Sequence, residues 1–394
     1  MRSHPLAVSR TARLARKAIA AIWRLGIDEK PPLDPDYLWR IGSRGFAPED
    51  ESGERSAEDV ADFRDRLDRL CRSLREEAAL NPLGHTLAYG QLTAAIRKRH
   101  ALGRLWRTRP ELARTEIAPP IVVVGQMRSG TTRLHRLLAA DPAHAGTRFC
   151  DSFDPVPRSP DLRPLKGTAA LMVARRINPW LDTLHPFGAT RADEEIGWLS
   201  AALNPCAFEA QWRIPGYVAW SEAQGAVPVY REFARILRTD AATRGNTDRP
   251  RVLKCPQFTE DLPDLLAQLP GARVAASDRD ESGVWASSVS LVSSQSAFQS
   301  DHADLAAIEA EWHRKIALRD ERMAEALRAF EGPVAVTGFE ALNADWRKAI
   351  AATYTALGLR LSPAALAGME RERSLDRDAD HRNHAAMLRR FAET

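Results

Sequence analysis

The chain has 394 residues, 44% hydrophobic and 27% charged, which is the balance of a folded globular protein and excludes general disorder. Its net charge of +4 suits a small anionic ligand, and because no nucleic-acid-binding motif is present we expect no nucleic-acid partner. No stretch approaches the roughly 20 apolar residues of a membrane span. The four cysteines lie far apart without zinc spacing, so we expect a reduced, cytoplasmic protein without a metal site.

The first segment is basic. Residues 1–27 contain six arginines and lysines and no acid. Leu14, Ala18, Ile22 and Leu25 recur near the helical period, which predicts a basic amphipathic helix. We favour a helix that packs on the domain with solvated arginines; the alternatives are contact with a membrane surface and a transit peptide.

The rest of the first 115 residues is predicted to be helical. Apolar residues at i, i+3 and i+4 spacing predict helices over 56–74 and 91–106. Between them and the first helix, residues 29–50 are rich in Pro, Gly and Asp, which predicts an irregular connection. Pro119 and Pro120 end the helical region.

A buried strand is predicted next. Residues 121–124 read Ile-Val-Val-Val, a run typical of a central parallel strand, and a glycine loop and a helix over 132–140 follow it. Further strands are predicted to alternate with helical stretches, at 251–253, 272–276 and 334–337. We therefore predict an α/β fold of three layers, P-loop-like, with a short central parallel sheet and an added N-terminal helical region.

The loop after the first strand has the spacing of a phosphate-binding loop. Residues 125–132 read Gly-Gln-Met-Arg-Ser-Gly-Thr-Thr, and such glycines let backbone N–H groups and a helix N-terminus face an anion. A P-loop kinase or NTPase has a lysine where this chain has Thr131, and here the cation lies inside the loop as Arg128. The loop therefore suits an anion better than ATP with magnesium, and an ordinary strand-to-helix turn is the other alternative.

Residues 120–142 closely resemble the 5′-phosphosulfate loop of sulfotransferases, and look most like the bacterial branch that resembles tyrosylprotein sulfotransferases. The resemblance implies in-line transfer of a sulfuryl group from 3′-phosphoadenosine 5′-phosphosulfate (PAPS) to the hydroxyl of a small-molecule or peptide acceptor. PAPS is then the co-substrate and no metal is required. The residues implied to hold it in the loop are Arg128, Ser129, Gly130, Thr131 and Thr132.

Two downstream segments extend the resemblance. Residues 250–256 are similar to the family's Leu-Lys-Ser-Pro segment, with Cys255 in place of the serine, which implies that Lys254 contacts the moving sulfuryl group. A strand ending near Arg279, with Ser287 eight residues later, resembles the family's 3′-phosphate site. We expect Arg279 and Ser287 to bind that phosphate.

The chain departs from the family pattern beside this phosphate site. Asp278 and Glu281 stand where the family has His and Pro, and both add negative charge. Their presence keeps open a non-catalytic relative with the same fold. An ion pair of Arg279 with Asp278 or Asp280 is the structural alternative to a phosphate contact.

The acceptor hydroxyl needs a general base. Relatives have Glu four residues before a Pro-x-Pro segment, and the corresponding residue is Asp151, our first candidate. A helix cap or a loop anchor is its structural alternative. His185 is the next candidate because an imidazole ordinarily titrates near neutral pH, and Glu194 follows because it lies in an acidic run that resembles a family segment.

The resemblance covers about residues 85–360. We divide the chain into an N-terminal helical region over 1–115, an α/β domain over 116–365 and a charged tail over 366–394. Within the domain, the aromatic-rich helical stretch 158–245 is predicted to form the acceptor pocket. The oligomeric state is left open.

Overall fold

The computed structural model describes residues 3–279 and 281–375, without the side chains of residues 281–283. Most of the charged tail predicted over 366–394 therefore lies outside the described residues. Among the helices that are described, none has both the length and the apolarity needed to cross a lipid bilayer.

The chain begins with helices packed side by side. Ser56 caps the fourth of them by a reciprocal capping box with Asp59. A helix also occupies part of the stretch predicted to be irregular, because Asp34 accepts a hydrogen bond from the N–H of Tyr37 and Pro35 occupies the first turn. The helices are α1 (Arg10–Arg24), α2 (Pro35–Gly42), α3 (Glu49–Ser52), α4 (Ala57–Glu76), α5 (Pro82–Thr108) and α6 (Glu111–Arg114).

Within the described residues a parallel sheet of five strands follows, in the order β2-β3-β1-β4-β5. The strand β1 lies at its centre, as predicted, and pairs with β3 on one side and β4 on the other. Because all strands are parallel, their carboxyl ends share one edge of the sheet. The strands are β1 (Ile121–Val124), β2 (Ala145–Gly146), β3 (Arg251–Lys254), β4 (Arg273–Asp278) and β5 (Val334–Gly338).

Helices connect the strands and cover the sheet. In the part of the chain that the structure describes, 3₁₀ turns lie at Pro205–Ala207 and Pro256–Thr259. The α-helices are α7 (Thr131–Ala139), α8 (Phe149–Phe153), α9 (Arg163–Ile177), α10 (Leu181–Leu184), α11 (Ile196–Ala201), α12 (Pro215–Glu222), α13 (Val227–Arg244), α14 (Leu262–Ala267), α15 (Glu281–Ala297), α16 (Leu305–Ala329), α17 (Phe339–Ala344), α18 (Trp346–Ala356) and α19 (Pro363–Leu375).

The central strand faces two hydrophobic cores. Val122 and Val124 pack into a core formed with the N-terminal helices and with α11 and α13. Ile121 and Val123 point to the opposite face, where α7, α18 and α19 cover them. This alternation gives helix, sheet and helix layers and confirms the predicted three-layer α/β fold. The N-terminal helices share one hydrophobic core with the sheet. The domain boundaries placed at residues 115 and 365 stay predictions.

Candidate active site

The loop between β1 and α7 needs its glycines. A Cβ at Gly125 would lie 2.7 Å from the carbonyl oxygen of Ser277, and one at Gly130 would lie 2.6 Å from the ring of Phe339. Both glycines also have positive φ, and so does Arg128 (φ 70°), a conformation that non-glycine residues rarely adopt. Gly130 is the N-cap of α7 and has no side chain to cap it, so the first-turn N–H groups face the loop.

Two arginines meet at this loop. Arg279 Nη1 donates to the carbonyl oxygen of Arg128 at 2.6 Å, and the Arg279 guanidinium lies 4.2 Å from the ring centre of Phe339. Arg128 Nε donates to Ser287 Oγ at 2.8 Å, and its Nη1 to the carbonyl oxygen of Leu184 at 2.6 Å. Burial, and then the charge of Arg279, lower the pKa of Arg128 to about 10. Two neighbouring cations destabilise each other in this way until an anion binds.

The residues expected to bind the 3′-phosphate lie beside Arg128. Ser287 and Arg279, which are eight residues apart in the chain, both contact Arg128. Asp278 is exposed at the end of β4, and no ion pair between it and Arg279 occurs in the described part of the chain. The side chain of Glu281 and the whole of Asp280 lie outside the described residues.

Lys254 reaches the phosphate loop from the neighbouring strand. It is the last residue of β3, and its side chain is buried. The ammonium group donates to Thr132 Oγ1 at 3.0 Å and forms an ion pair with Glu194. The backbone N–H of Lys254 donates to Glu195 Oε2 at 2.8 Å, so the acidic run is fixed to the end of this strand.

The acidic run also orients a histidine. His185 Nε2 lies 2.8 Å from Asp193 Oδ1, and His185 Nδ1 lies 3.9 Å from Glu194 Oε1. In the neutral imidazole, a proton on Nε2 bound to Asp193 leaves Nδ1 as an acceptor on the side of Glu194. Burial raises the pKa of Asp193, but His185 and Arg136 outweigh it and hold that pKa below its ordinary range. Asp193 therefore stays ionised.

Asp151 lies in a different environment. Arg148 donates two hydrogen bonds to its carboxylate, at 2.7 and 2.8 Å, and Arg163 and Arg244 each approach to 3.3 Å. Burial raises the pKa of Asp151, but these arginines outweigh burial and lower it. A fully buried carboxylate shared by three guanidinium groups holds α8 in place. Its hydrogen bonds and ion pairs do not involve the loop, Lys254 or His185.

The sequence did not indicate two of these contacts. Asp193 belongs to the acidic run of Glu194, but eight residues separate it from His185 and no local pattern joins the two. The packing of Phe339 against Gly130 joins the start of α17 to the loop and has no sequence signal either. The aromatic residues expected to form an acceptor pocket are mainly core residues, because Trp198, Phe208, Trp212, Tyr217 and Tyr230 are all buried.

A cluster of side chains that could bind a metal ion lies away from the loop. One ligand atom from each of Cys206, Glu209 and Glu260 lies within 4.8 Å of the others. Lys315 Nζ, however, lies 3.0 Å from Glu209 and 2.7 Å from Glu260, and Arg319 pairs with both carboxylates. The carboxylates are thus already neutralised, and the cluster joins α16 to its neighbours as an ion-pair network. The expectation of a protein without a metal stays a prediction.

Known proteins resemble this chain in sequence and in fold. The profile of the sulfotransferase family matches residues 119–363. The crystal structure of sulfotransferase STF1 from Mycobacterium tuberculosis H37Rv is 27% identical, with a TM-score of 0.75 over 93% of this chain and 100% of that one. Sulfotransferase STF9 from Mycobacterium avium, 16% identical, shares the fold with a TM-score of 0.77 over 89% of this chain and 90% of that one. No curated protein sequence matches the chain.

Proposed function

The chain belongs to the sulfotransferase family and is a sulfuryl-transferring enzyme, and from that premise we propose that PAPS is its donor and that His185 is its general base. One observation carries the donor proposal: Lys254 binds Thr132 in the first turn of α7, and Arg279 and Ser287 both bind Arg128 in the loop directly before that helix. The resemblance to the tyrosylprotein branch is not needed for it.

The residues fit a donor that carries phosphate at two positions. The loop N–H groups and Arg128 suit the 5′-phosphosulfate, while Arg279 and Ser287 suit the 3′-phosphate. Burial and the neighbouring charge of Arg279 lower the pKa of Arg128, and this supports the fit, because a multiply charged anion stabilises two adjacent cations. A kinase or NTPase is not favoured, since Thr131 stands where the Walker lysine would be.

The chemistry requires positioning and fixed positive charge. The bond between sulfur and the leaving phosphate oxygen breaks while the acceptor oxygen binds sulfur, and negative charge develops on the leaving phosphate. Arg128 and the first-turn N–H groups of α7 stabilise that charge, and Lys254 stabilises the sulfuryl oxygens. Both cations are held before the reaction, Lys254 by Thr132 and Glu194, so little reorganisation is needed.

His185 is the base that the contacts support best. Asp193 fixes the ring through Nε2, and Nδ1 then accepts the proton of the acceptor hydroxyl as its oxygen attacks sulfur. Glu194 is the alternative base, since its Oε1 lies 3.9 Å from that nitrogen, but its carboxylate is already paired with the ammonium group of Lys254. Asp151, the first candidate from the sequence, is assigned to the arginine cluster instead.

The proposal includes a small-molecule or peptide acceptor and a reducing, cytoplasmic environment. The cysteines support a reducing environment, since none of them forms a disulfide and all are buried: Cys71, Cys150, Cys206 and Cys255.

Two measurements test this function. Calorimetric titration compares PAPS with ATP and magnesium, and we expect PAPS to bind and ATP to bind far more weakly. Turnover of a broad acceptor panel is then compared for His185→Gln, Glu194→Gln and the matched control His302→Gln, which lies on the surface. We expect a loss of about 10²–10⁴ only for His185→Gln.

The outcomes separate the alternatives. Loss in Glu194→Gln with normal turnover in His185→Gln would make Glu194 the base. PAPS binding without turnover of any acceptor would indicate the non-catalytic relative. Equal or tighter binding of ATP with magnesium would overturn the assignment of the donor.

A further inference from the structure

Exposed apolar side chains concentrate on one part of the surface. Within the described residues, eleven large hydrophobic side chains are exposed, and nine of them lie on or beside α1 and α9. They are Leu14, Ile22, Leu25, Ile27, Phe153, Leu162, Leu165, Met172 and Val173. Scattered exposed apolar residues are ordinary, but a concentration of this kind marks a binding surface.

The orientation of α1 is the first part of the argument. The helix packs on α5 and α9 through Ala12, Ile19 and Trp23, whose ring meets that of His85 edge-on at 5.6 Å. Successive residues turn by about 100° around a helix, so the strip Leu14, Ala18, Ile22 and Leu25 lies on the side away from this packing. These four residues are exposed, and Leu14 keeps 57% of its surface accessible. The strip expected to face the domain therefore faces outward.

A row of cations lies beside that strip. Helix α1 has five arginines and lysines and no acid. Arg16 forms an ion pair with Asp301 at 2.6 Å, and the other four have no ion pair with any described residue. These four share one side of the helix, next to the apolar strip: Arg10, Arg13, Lys17 and Arg24.

The neighbouring helix α9 also exposes apolar and basic side chains. Ser9 at the start of α1 donates to the carbonyl oxygen of Ile177 at the end of α9, at 2.6 Å. Helix α9 contains no acid and exposes Leu165, Met172 and Val173 together with Arg176. Its buried face is formed by Arg163, Gly167 and Leu171.

We propose that α1 and α9 bind the surface of an anionic membrane. The apolar strip would enter the headgroup region, and the cations beside it would meet lipid phosphates, as in helices that lie in the plane of a membrane. A second copy of this chain is a poorer occupant, because two faces with unpaired cations repel each other. An acidic protein would satisfy the cations, but it would leave the long outward apolar strip without a matching environment.

The proposal does not depend on the donor or on the base, since none of its residues belongs to the candidate active site. Helix α9 nevertheless leads directly to α10, whose last residue, Leu184, accepts a hydrogen bond from Arg128. A membrane bound at α1 and α9 is therefore connected to the phosphate loop through one short segment.

The test is co-sedimentation of the full chain with vesicles, either of phosphatidylcholine alone or with about a quarter of phosphatidylglycerol. We expect binding to the anionic vesicles at about 0.1 M salt, at least about tenfold weaker binding to neutral ones, and strong weakening at about 0.5 M salt. Equal binding to both vesicle types, or to neither, would overturn the proposal.

Paired variants assign the binding to the two helices. We expect at least about tenfold weaker binding for Arg13→Glu with Lys17→Glu, for Leu14→Ser with Ile22→Ser, and for Leu165→Ser with Met172→Ser. Lys348→Glu and Val336→Ser are matched controls, exposed on other elements, and should bind like the wild type. All changes are at exposed positions, and thermal melting checks that each variant is folded.

Two results of the variants would contradict the proposal. Normal binding by all three pairs would place the lipid contact elsewhere on the protein. A concentration-dependent dimer, lost in Leu14→Ser with Ile22→Ser and accompanied by no vesicle binding, would assign the surface to a second copy of the chain.

Discussion

Replacing Asp151 with Asn removes one negative charge from a buried cluster of three arginines and keeps the shape of the side chain. Removing one partner of a buried ion pair costs about 3–5 kcal/mol. We expect a cost at the lower end of this range, because two of the three guanidinium groups keep other hydrogen-bond acceptors. Arg163 Nε donates to Asp161 at 2.8 Å, and Arg244 Nη1 donates to the carbonyl oxygen of Gly146 at 2.9 Å. The expected loss in the free energy of unfolding is therefore about 3 kcal/mol.

Urea unfolding, followed by circular dichroism, measures this loss as a lower midpoint at an unchanged slope. The matched control is Asp161→Asn, which removes a partly exposed carboxylate paired with two of these arginines, Arg148 and Arg163, and which should cost about 1 kcal/mol or less. Turnover of the folded Asp151→Asn protein should stay within about tenfold of the wild type, since loss of a general base costs about 10²–10⁴.

The pH dependence gives an independent check. The arginines hold the pKa of Asp151 below its ordinary value despite burial, so its contribution to stability is present above the unfolded pKa of about 3.9. That contribution is lost as pH falls through the lower native pKa. The difference in stability between the wild type and Asp151→Asn should therefore shrink below about pH 4. A variant as stable as the wild type but at least about 10² slower would refute this reasoning and make Asp151 the base.

Three further changes test the other parts of the site. Arg279→Ala should weaken PAPS binding by tens of fold, since a charged hydrogen bond contributes about 1.5–3 kcal/mol, and normal affinity in calorimetry would remove Arg279 from the donor site. Lys254→Ala should lower kcat by about 10²–10³ with PAPS affinity nearly unchanged, whereas a pure loss of affinity would contradict its role in the transition state. Burial raises the pKa of Glu195 to about 8, so the native state loses stability as pH rises from the ordinary value of 4.5 to about 8. Glu195→Gln should flatten the melting temperature over that range, and a slope equal to the wild type would show that Glu195 is ionised in the native protein.

Local patterns were sufficient to predict the central elements. The run Ile121–Val124 can be buried on both faces, and the glycines at 125 and 130 allow a turn that larger residues could not make. These features depend on neighbours in the chain, so the strand, the loop and α7 were predicted nearly where they lie. The helix α2 was missed although its signal was local, because the Pro and Asp that suggest a loop by composition also cap and start a helix.

Only the tertiary structure decided which apolar strip of α1 is buried. Ala12, Ile19 and Trp23 form one such strip, and Leu14, Ala18, Ile22 and Leu25 form another. Both have the helical period, so periodicity cannot choose between them. The choice depends on the surfaces of α5 and α9, which are far away in the sequence.

The choice of the general base likewise needed the fold. Asp151 fits a family spacing, but three arginines surround it: Arg148 at the N-cap of its own helix, Arg163 from α9 and Arg244 from α13. Lys254 meets Thr132 across 122 residues because β3 pairs beside β1, and the same strand end holds Glu194 and Glu195. The sequence by itself determined the strand, the loop and the family, since each is encoded in consecutive residues. The partners of each charge were decided by strand order and packing, because long-range contacts leave no periodic trace in the chain.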